Sequence, residues 1–142
     1  MEKNYAVTES LAIMERSLVA MVSSIDEEAF PNTKAMLNLE HEGLHTVWFS
    51  TNTSSRRVGQ WQKNPKACVY YLDQESFKGL MLVGTIEVLQ DAESRQRLWR
   101  PGCEKYYPLG VEDPDYSVLR FTADWGNFYH GLANLTFQLN GA

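Results

Sequence analysis

The stretch best equipped for chemistry is Ser50-Thr51-Asn52-Thr53-Ser54-Ser55-Arg56-Arg57, which sets a run of hydroxyl side chains directly before two arginines. A strand ending near Thr51 and a short helix read within Asn52–Asn64, with Thr53, Ser54 and Ser55 as possible caps, would gather hydroxyls, the free N–H groups of a first helical turn and two guanidinium groups at one point. Hydroxyls and helix-start amides donate to phosphate oxygens, the helix dipole favours negative charge, and arginine grips phosphate through two parallel bonds. Together they would make a seat for one phosphate group. The same residues also make an ordinary helix start, with Thr53 or Ser54 as cap and both arginines in solvent. Residue types alone leave these two readings open.

Charge is distributed in keeping with a local anion seat. The 142 residues carry 13 basic and 18 acidic side chains, a net charge of −5, which argues against a protein that grips the many phosphates of a nucleic acid. Yet residues 43–72 contain no Asp or Glu, where the chain average would place about four, and they hold Arg56, Arg57, Lys63 and Lys66. A short cationic zone in an acidic chain suits one small anion, not a polyanion.

Other chemistries find less support. His41-Glu42-Gly43-Leu44-His45 matches the HExxH zinc-protease pattern, but that chemistry needs a helix to bring both histidines to one face. Gly43 and the flanking strand-like runs predict a hairpin turn with partly exposed histidines instead. Cys68 and Cys103 lack the C-x-x-C spacing of zinc or redox pairs and are expected to be reduced thiols, Cys68 buried and inert within an apolar strand. No G-x-S-x-G elbow and no glycine-rich phosphate loop is present. The polar start MEKNYAVTES and the interruption of the following apolar stretch by Glu15 and Arg16 give no signal peptide or membrane span, so a cytoplasmic location is expected.

The elements that must position the central stretch follow from periodicity. A short helix is expected from Thr8 to about Arg16, capped by Thr8 or Ser10. Alternating or short apolar runs then predict strands over Leu18–Ile25, Thr33–Leu39 and Leu44–Thr51. Val58 and Trp61 stand three apart within a short helix that Asn64-Pro65 stops. Strands return at Ala67–Leu72 and Phe77–Leu89, the second with Gly79 and Gly84 as positions of bending or close approach. Asp91 caps a helix over the DAESRQRLW run, an irregular stretch follows, and Tyr116–Thr122 is a last clear strand, with the tail around Phe128, Tyr129 and His130 undecided. Tyr70, Tyr71, Trp48 and Trp61 are expected in the core. With 44% hydrophobic and 22% charged residues and no linker or repeat, residues 1–142 read as one domain, mainly β: a barrel of about six antiparallel strands with short helices. A barrel this small fills its interior with side chains, so a ligand must sit at a rim, in a groove or between subunits.

The run V-W-F-S-T-N-T-S-S-R-R-V-G-Q-W-Q-K-N-P, Val47–Pro65, resembles the strand–helix signature of the pyridoxamine-phosphate-oxidase-like FMN-binding split barrels. Phe30–Met36 resembles the family's preceding strand, and Gly79–Gln90 followed by Asp91 its long strand and acidic helix start. The likeness spans most of Leu18–Gly131 and is nearest the short general-stress-protein branch. It implies an FMN-binding split barrel with the cofactor in a cleft between the subunits of a homodimer. It implies, further, that Ser50 and Thr51 meet the flavin ring or ribityl edge, and that Ser55, Arg56 and Arg57 bind the FMN phosphate with Lys34 adding charge or a ring contact. Lys78 and Gly79 would lie on the strand that reaches the neighbouring subunit's flavin, and Tyr129 near a position where this branch often has tryptophan. Lys34 stands where arginine is commoner, Ala35 where proline is frequent, and Ser50 where the longer oxidases have tyrosine. No R-L-H-D-R-like segment follows, so oxidation of vitamin B6 is not expected. The resemblance implies a flavin-dependent oxidoreductase acting on a small molecule, with NAD(P)H as an electron donor. The alternative is a stress-response module that binds flavin, haem or a deazaflavin without turnover.

Overall fold

The computed structural model describes residues 1–139. Helix α1 (Lys3–Arg16) is followed by strands β1 (Val19–Ile25), β2 (Pro31–Leu37), β3 (Glu40–Glu42) and β4 (Thr46–Asn52). Helix α2 (Arg56–Lys63) precedes β5 (Lys66–Asp73) and β6 (Lys78–Leu89). Helix α3 (Ala92–Leu98) and two single 3-10 turns, Cys103–Lys105 and Gly110–Glu112, lead to β7 (Tyr116–His130) and β8 (Ala133–Gln138). One antiparallel sheet holds all eight strands in the order β2-β1-β5-β6-β7-β4-β3, with β8 also paired to β7. The chain is thus mainly β, a curled half-barrel sheet with short helices, as expected, but with eight strands where about six were counted.

The long strand β7 organises the sheet. One edge pairs with β6 over Val118–His130, while the other pairs with β4 over Tyr116–Thr122 and with β8 over Trp125–His130. Its register slips at Asp124, which stands between the partners of Val83 and Gly84, so the inward residues pass from Leu119, Phe121 and Ala123 to Gly126 and Phe128. Gly84 lies at that slip because a Cβ there would strike the Thr122 carbonyl and come within 2.9 Å of the Ala123 Cα.

The inner face packs against α1, which contributes Ala6, Ile13 and Met14 to a core that includes Val22, Phe49, Leu82, Phe121 and Phe128. The helix begins well before Thr8: Glu2 occupies its cap position with no side-chain bond, and Ser10 is buried inside it, so neither Thr8 nor Ser10 is a cap. A second core forms on the outer face, where Trp48, Tyr116 and Val118 are covered by Leu98 of α3 and by Tyr107. Helix α2 buries Val58 and Trp61, and the Trp61 indole N–H donates to the Ser23 carbonyl at 3.1 Å. The expected cap on α3 is present, since the Asp91 carboxylate accepts from the Ser94 N–H at 3.0 Å.

The HExxH pentapeptide is a hairpin: His41 and Glu42 end β3, Gly43 turns the chain at φ +53°, and His45 precedes β4. His41 Nδ1 contacts its own turn's Gly43 carbonyl at 3.0 Å, and His45 Nδ1 contacts Thr46 Oγ1 at 2.9 Å. No helix among the described residues is long and apolar enough to cross a membrane.

Candidate functional site

Strand β4 ends at Asn52 and α2 begins at Arg56, so the loop 53–55 delivers the hydroxyl and arginine run to one spot. Arg57 Nη2 donates to Thr51 Oγ1 at 2.8 Å, joining the end of the strand to the first turn of the helix. Ser55 holds the cap position of α2, but its hydroxyl makes no cap bond. The Ser55 Oγ and the Arg57 Nε are both shut off from solvent with no hydrogen-bond partner. Buried polar groups are nearly always paired, so two orphans two residues apart at the start of α2, one a hydroxyl and one a guanidinium N–H, fit an acceptor such as a phosphate oxygen. A capping role for Thr53 or Ser54 is ruled out by geometry. Thr53 Oγ1 bonds Ser117 Oγ at 2.6 Å, and the Ser54 hydroxyl takes a bond from Asn52 Nδ2 at 3.1 Å.

The remaining residues singled out in the sequence divide by position. Ser50 and Thr51 point to opposite faces of β4: Thr51 is buried on the face of Phe49, whereas Ser50 shares its face with Trp48 and pairs across to Val118. Arg56 turns away from Arg57 and lines a cleft of about 350 Å³ with Asp26, Glu28, Gly59 and Gln60. The Asp26 carboxyl is held below its usual range, chiefly by the Phe30 N–H and the Asn32 amide, with Arg56 adding a smaller attraction. Lys34 is exposed on β2, opposite Val22 and on the same inner face as Met36.

Lys78, Gly79 and Tyr129 form a second group. Lys78 pairs with Glu9 of α1 at 2.5 Å. The twelve residues of β6 run about 36 Å from Lys78 to Leu89 along the strand at ~3.3 Å per step. Gln90, just past that far end, contacts Thr53. Within one chain, therefore, this group stands at the opposite end of the sheet from Thr51, Ser55 and Arg57. A side chain at Gly79 would run into the ring of Tyr129 and the hydroxyl of Tyr70.

Tyr70 departs from the core expectation. Trp48, Trp61 and Tyr71 are buried, but Tyr70 is half-buried on the outer face with its hydroxyl 2.6 Å from that of Tyr129. Burial and that hydrogen bond push the Tyr70 phenol well above its ordinary range. Cys68 and Cys103 are both free and half-buried, and burial pushes the Cys68 thiol up.

Sequence reasoning missed the groups that hold the loop, Gln90, Asp115 and Ser117. The signal that would have revealed them is the β4–β7 register, which sets Asn52 opposite Tyr116 and Thr51 opposite Ser117.

The pyridoxamine 5'-phosphate oxidase family profile matches residues 7–130. The chain is similar to the crystal structure of a Clostridium acetobutylicum protein related to general stress protein 26 of Bacillus subtilis, of the pyridoxinephosphate oxidase family. Identity to it is 49%, with 99% of this chain and 98% of that chain covered and a TM-score of 0.87. More distant chains share the fold. A heme binding protein from Mycobacterium smegmatis has 15% identity and a TM-score of 0.75, over 94% of this chain and 57% of that one. An F420 reductase has 16% identity and a TM-score of 0.61, over 79% and 90%. No match was found among curated proteins. The half-barrel sheet, the strand-to-helix signature around Thr51–Arg57 and a profile match over most of the chain agree: the chain belongs to the pyridoxamine 5'-phosphate oxidase family, on its general stress protein 26-like branch.

Proposed function

We propose that the chain is an FMN-dependent oxidoreductase acting on a small molecule. The observation that carries this reading is the pair of orphaned donors, Ser55 Oγ and Arg57 Nε, beside the Thr51–Arg57 bond at the start of α2. Thr51, Ser55 and Arg57 would hold the FMN phosphate, and Arg56 would reach it by turning out of its cleft. Ser50 and Lys34 are the proposed contacts toward the ring. When bound, the flavin supplies hydride or electron transfer, and the protein's part is to hold the phosphate, orient the ring and exclude water around it.

A homodimer completes the proposal. Val19, Met21, Leu37 and Leu72 are 43%, 40%, 60% and 49% exposed on the outer face of β1, β2 and β5. An apolar sheet face of this kind suits burial against a second copy. A second copy could also bring its own Lys78, Gly79 and Tyr129 to a flavin that they cannot reach within one chain.

Isolated protein should be yellow with a flavin spectrum, and combined Arg56→Ala and Arg57→Ala should release FMN. Colourless protein that ignores added FMN overturns the reading. Rapid reduction by NADH or NADPH with acceptor-dependent reoxidation separates the oxidoreductase from a module without turnover. The second reading, a haem or deazaflavin ligand, is motivated by the heme binding protein and F420 reductase that share the fold. The same spectrum distinguishes it, because a haem Soret band or a deazaflavin band would replace the flavin bands.

A further inference from the structure

The loop that forms the candidate seat is fixed from a distant part of the chain. Thr53 N–H donates to the Asp115 carbonyl at 2.7 Å, and Ser54 N–H donates to Asp115 Oδ1 at 2.8 Å. One residue thus accepts from two consecutive amides. Asp115 is itself held, since its N–H donates to Asp113 Oδ1 at 2.9 Å, and Asp113, only 6% exposed, accepts from the Leu109 N–H at 3.1 Å through its other oxygen. Gln90 Nε2 adds bonds to Thr53 Oγ1 and to the Pro114 carbonyl, each 3.2 Å.

Two opposed effects on the seat follow. The clamp gives the chain entering α2 one course, so that Ser55 and Arg57 are in place before a ligand arrives and its binding need not order them. The same carboxylate sets a negative charge beside a place built for an anion, and like charges repel. An asparagine side chain could accept from the Ser54 N–H without that repulsion. We propose that Asp115 is a positioning residue of the anion seat: its hydrogen bonds fix the loop, while its charge holds the affinity below what a neutral acceptor in the same place would give. The inference rests on the phosphate reading of the seat.

Two variants separate the effects. Asp115→Ala keeps the main-chain carbonyl that holds Thr53 but should lose hydrogen-exchange protection at the Ser54 amide of the ligand-free protein and bind FMN roughly tenfold more weakly or worse, the loss of a bond to a charged group. Asp115→Asn should restore the protection and bind both FMN and inorganic phosphate roughly threefold more tightly than the natural chain, the gain shrinking as salt is raised. Alanine binding like the natural chain overturns the positioning role, and asparagine binding no tighter overturns the role of charge. If the natural chain binds neither FMN nor phosphate, the phosphate reading falls and takes the affinity half of the proposal with it. The exchange data then decide the loop-fixing half alone, and unchanged protection in Asp115→Ala overturns it.

Discussion

Replacing Arg57 by methionine keeps most of the side chain's length and removes its guanidinium, which acts in two ways. In the ligand-free protein, Thr51 Oγ1 loses the donor 2.8 Å away, and Thr51 is only 4% exposed, so water cannot freely take the donor's place. Leaving a buried hydroxyl without its partner costs about 1–3 kcal/mol. In the FMN complex, the loss includes the Nε–H, which has no partner within the protein. One charge-assisted bond contributes about 1.5–3 kcal/mol, so affinity should fall roughly 10- to 150-fold. Titration of flavin fluorescence at fixed ionic strength measures the affinity, and urea denaturation of the ligand-free protein measures the stability. Adding Thr51→Val should recover part of the stability by removing the orphaned hydroxyl, giving non-additive effects, without restoring affinity. Arg57→Lys, which keeps the charge but loses the planar fork, should fall between. If Arg57→Met binds FMN within roughly threefold of the natural chain, the guanidinium does not hold the phosphate, and the orphaned Nε loses its meaning as a ligand contact.

Two further expectations concern the scaffold. Gly84→Ala should destabilise by at least about 2 kcal/mol in chemical denaturation, because its Cβ collides with the backbone at Thr122 and Ala123 where no side chain can move aside; a loss under about 0.5 kcal/mol would show that the register slip can relax. Burial raises the Tyr116 phenol from 10.0 to about 12, so the folded state keeps its proton longer than the unfolded chain does. This contribution is complete below pH 10 and is lost as pH rises from 10 through about 12, at about 1.4 kcal/mol per pH unit. Tyr71 shifts in the same direction by burial and should steepen the loss. Urea midpoints at pH 9 and pH 11 test it, and equal midpoints would refute it.

Much of the scaffold was determined by the sequence alone, because it follows from local rules. Alternation marked β1, β5 and β6, Asn64-Pro65 stopped α2, Asp91 capped α3, and Gly43 turned the HExxH run into a hairpin. The hydroxyl-to-arginine run was legible as a phosphate seat because its parts are adjacent in the chain. Where tertiary contacts replace local rules, the reading stopped short. The start of α1 has no capping signature, and its helix is secured by burying Ala6, Ile13 and Met14. The extra residue at Asp124 breaks the alternation of β7, which hid the second half of that strand, and β8 buries little besides Phe137, so it shows no periodic signal.

Only the tertiary structure decided what surrounds the seat. It turned Ser50 and Thr51 to opposite faces, took Tyr70 out of the core and set Lys78, Gly79 and Tyr129 at the far end of β6. It also changed the meaning of the acid-free window. Residues 43–72 contain no carboxylate of their own, but antiparallel pairing of β4 with β7 brings Asp115 to the Ser54 amide, and the β1–β2 turn brings Asp26 and Glu28 to the cleft that Arg56 lines. Charge along a chain is a matter of sequence. The field at a site is a matter of which strands pair, and pairing across some sixty residues is chosen by the core as a whole and not by the residues that meet.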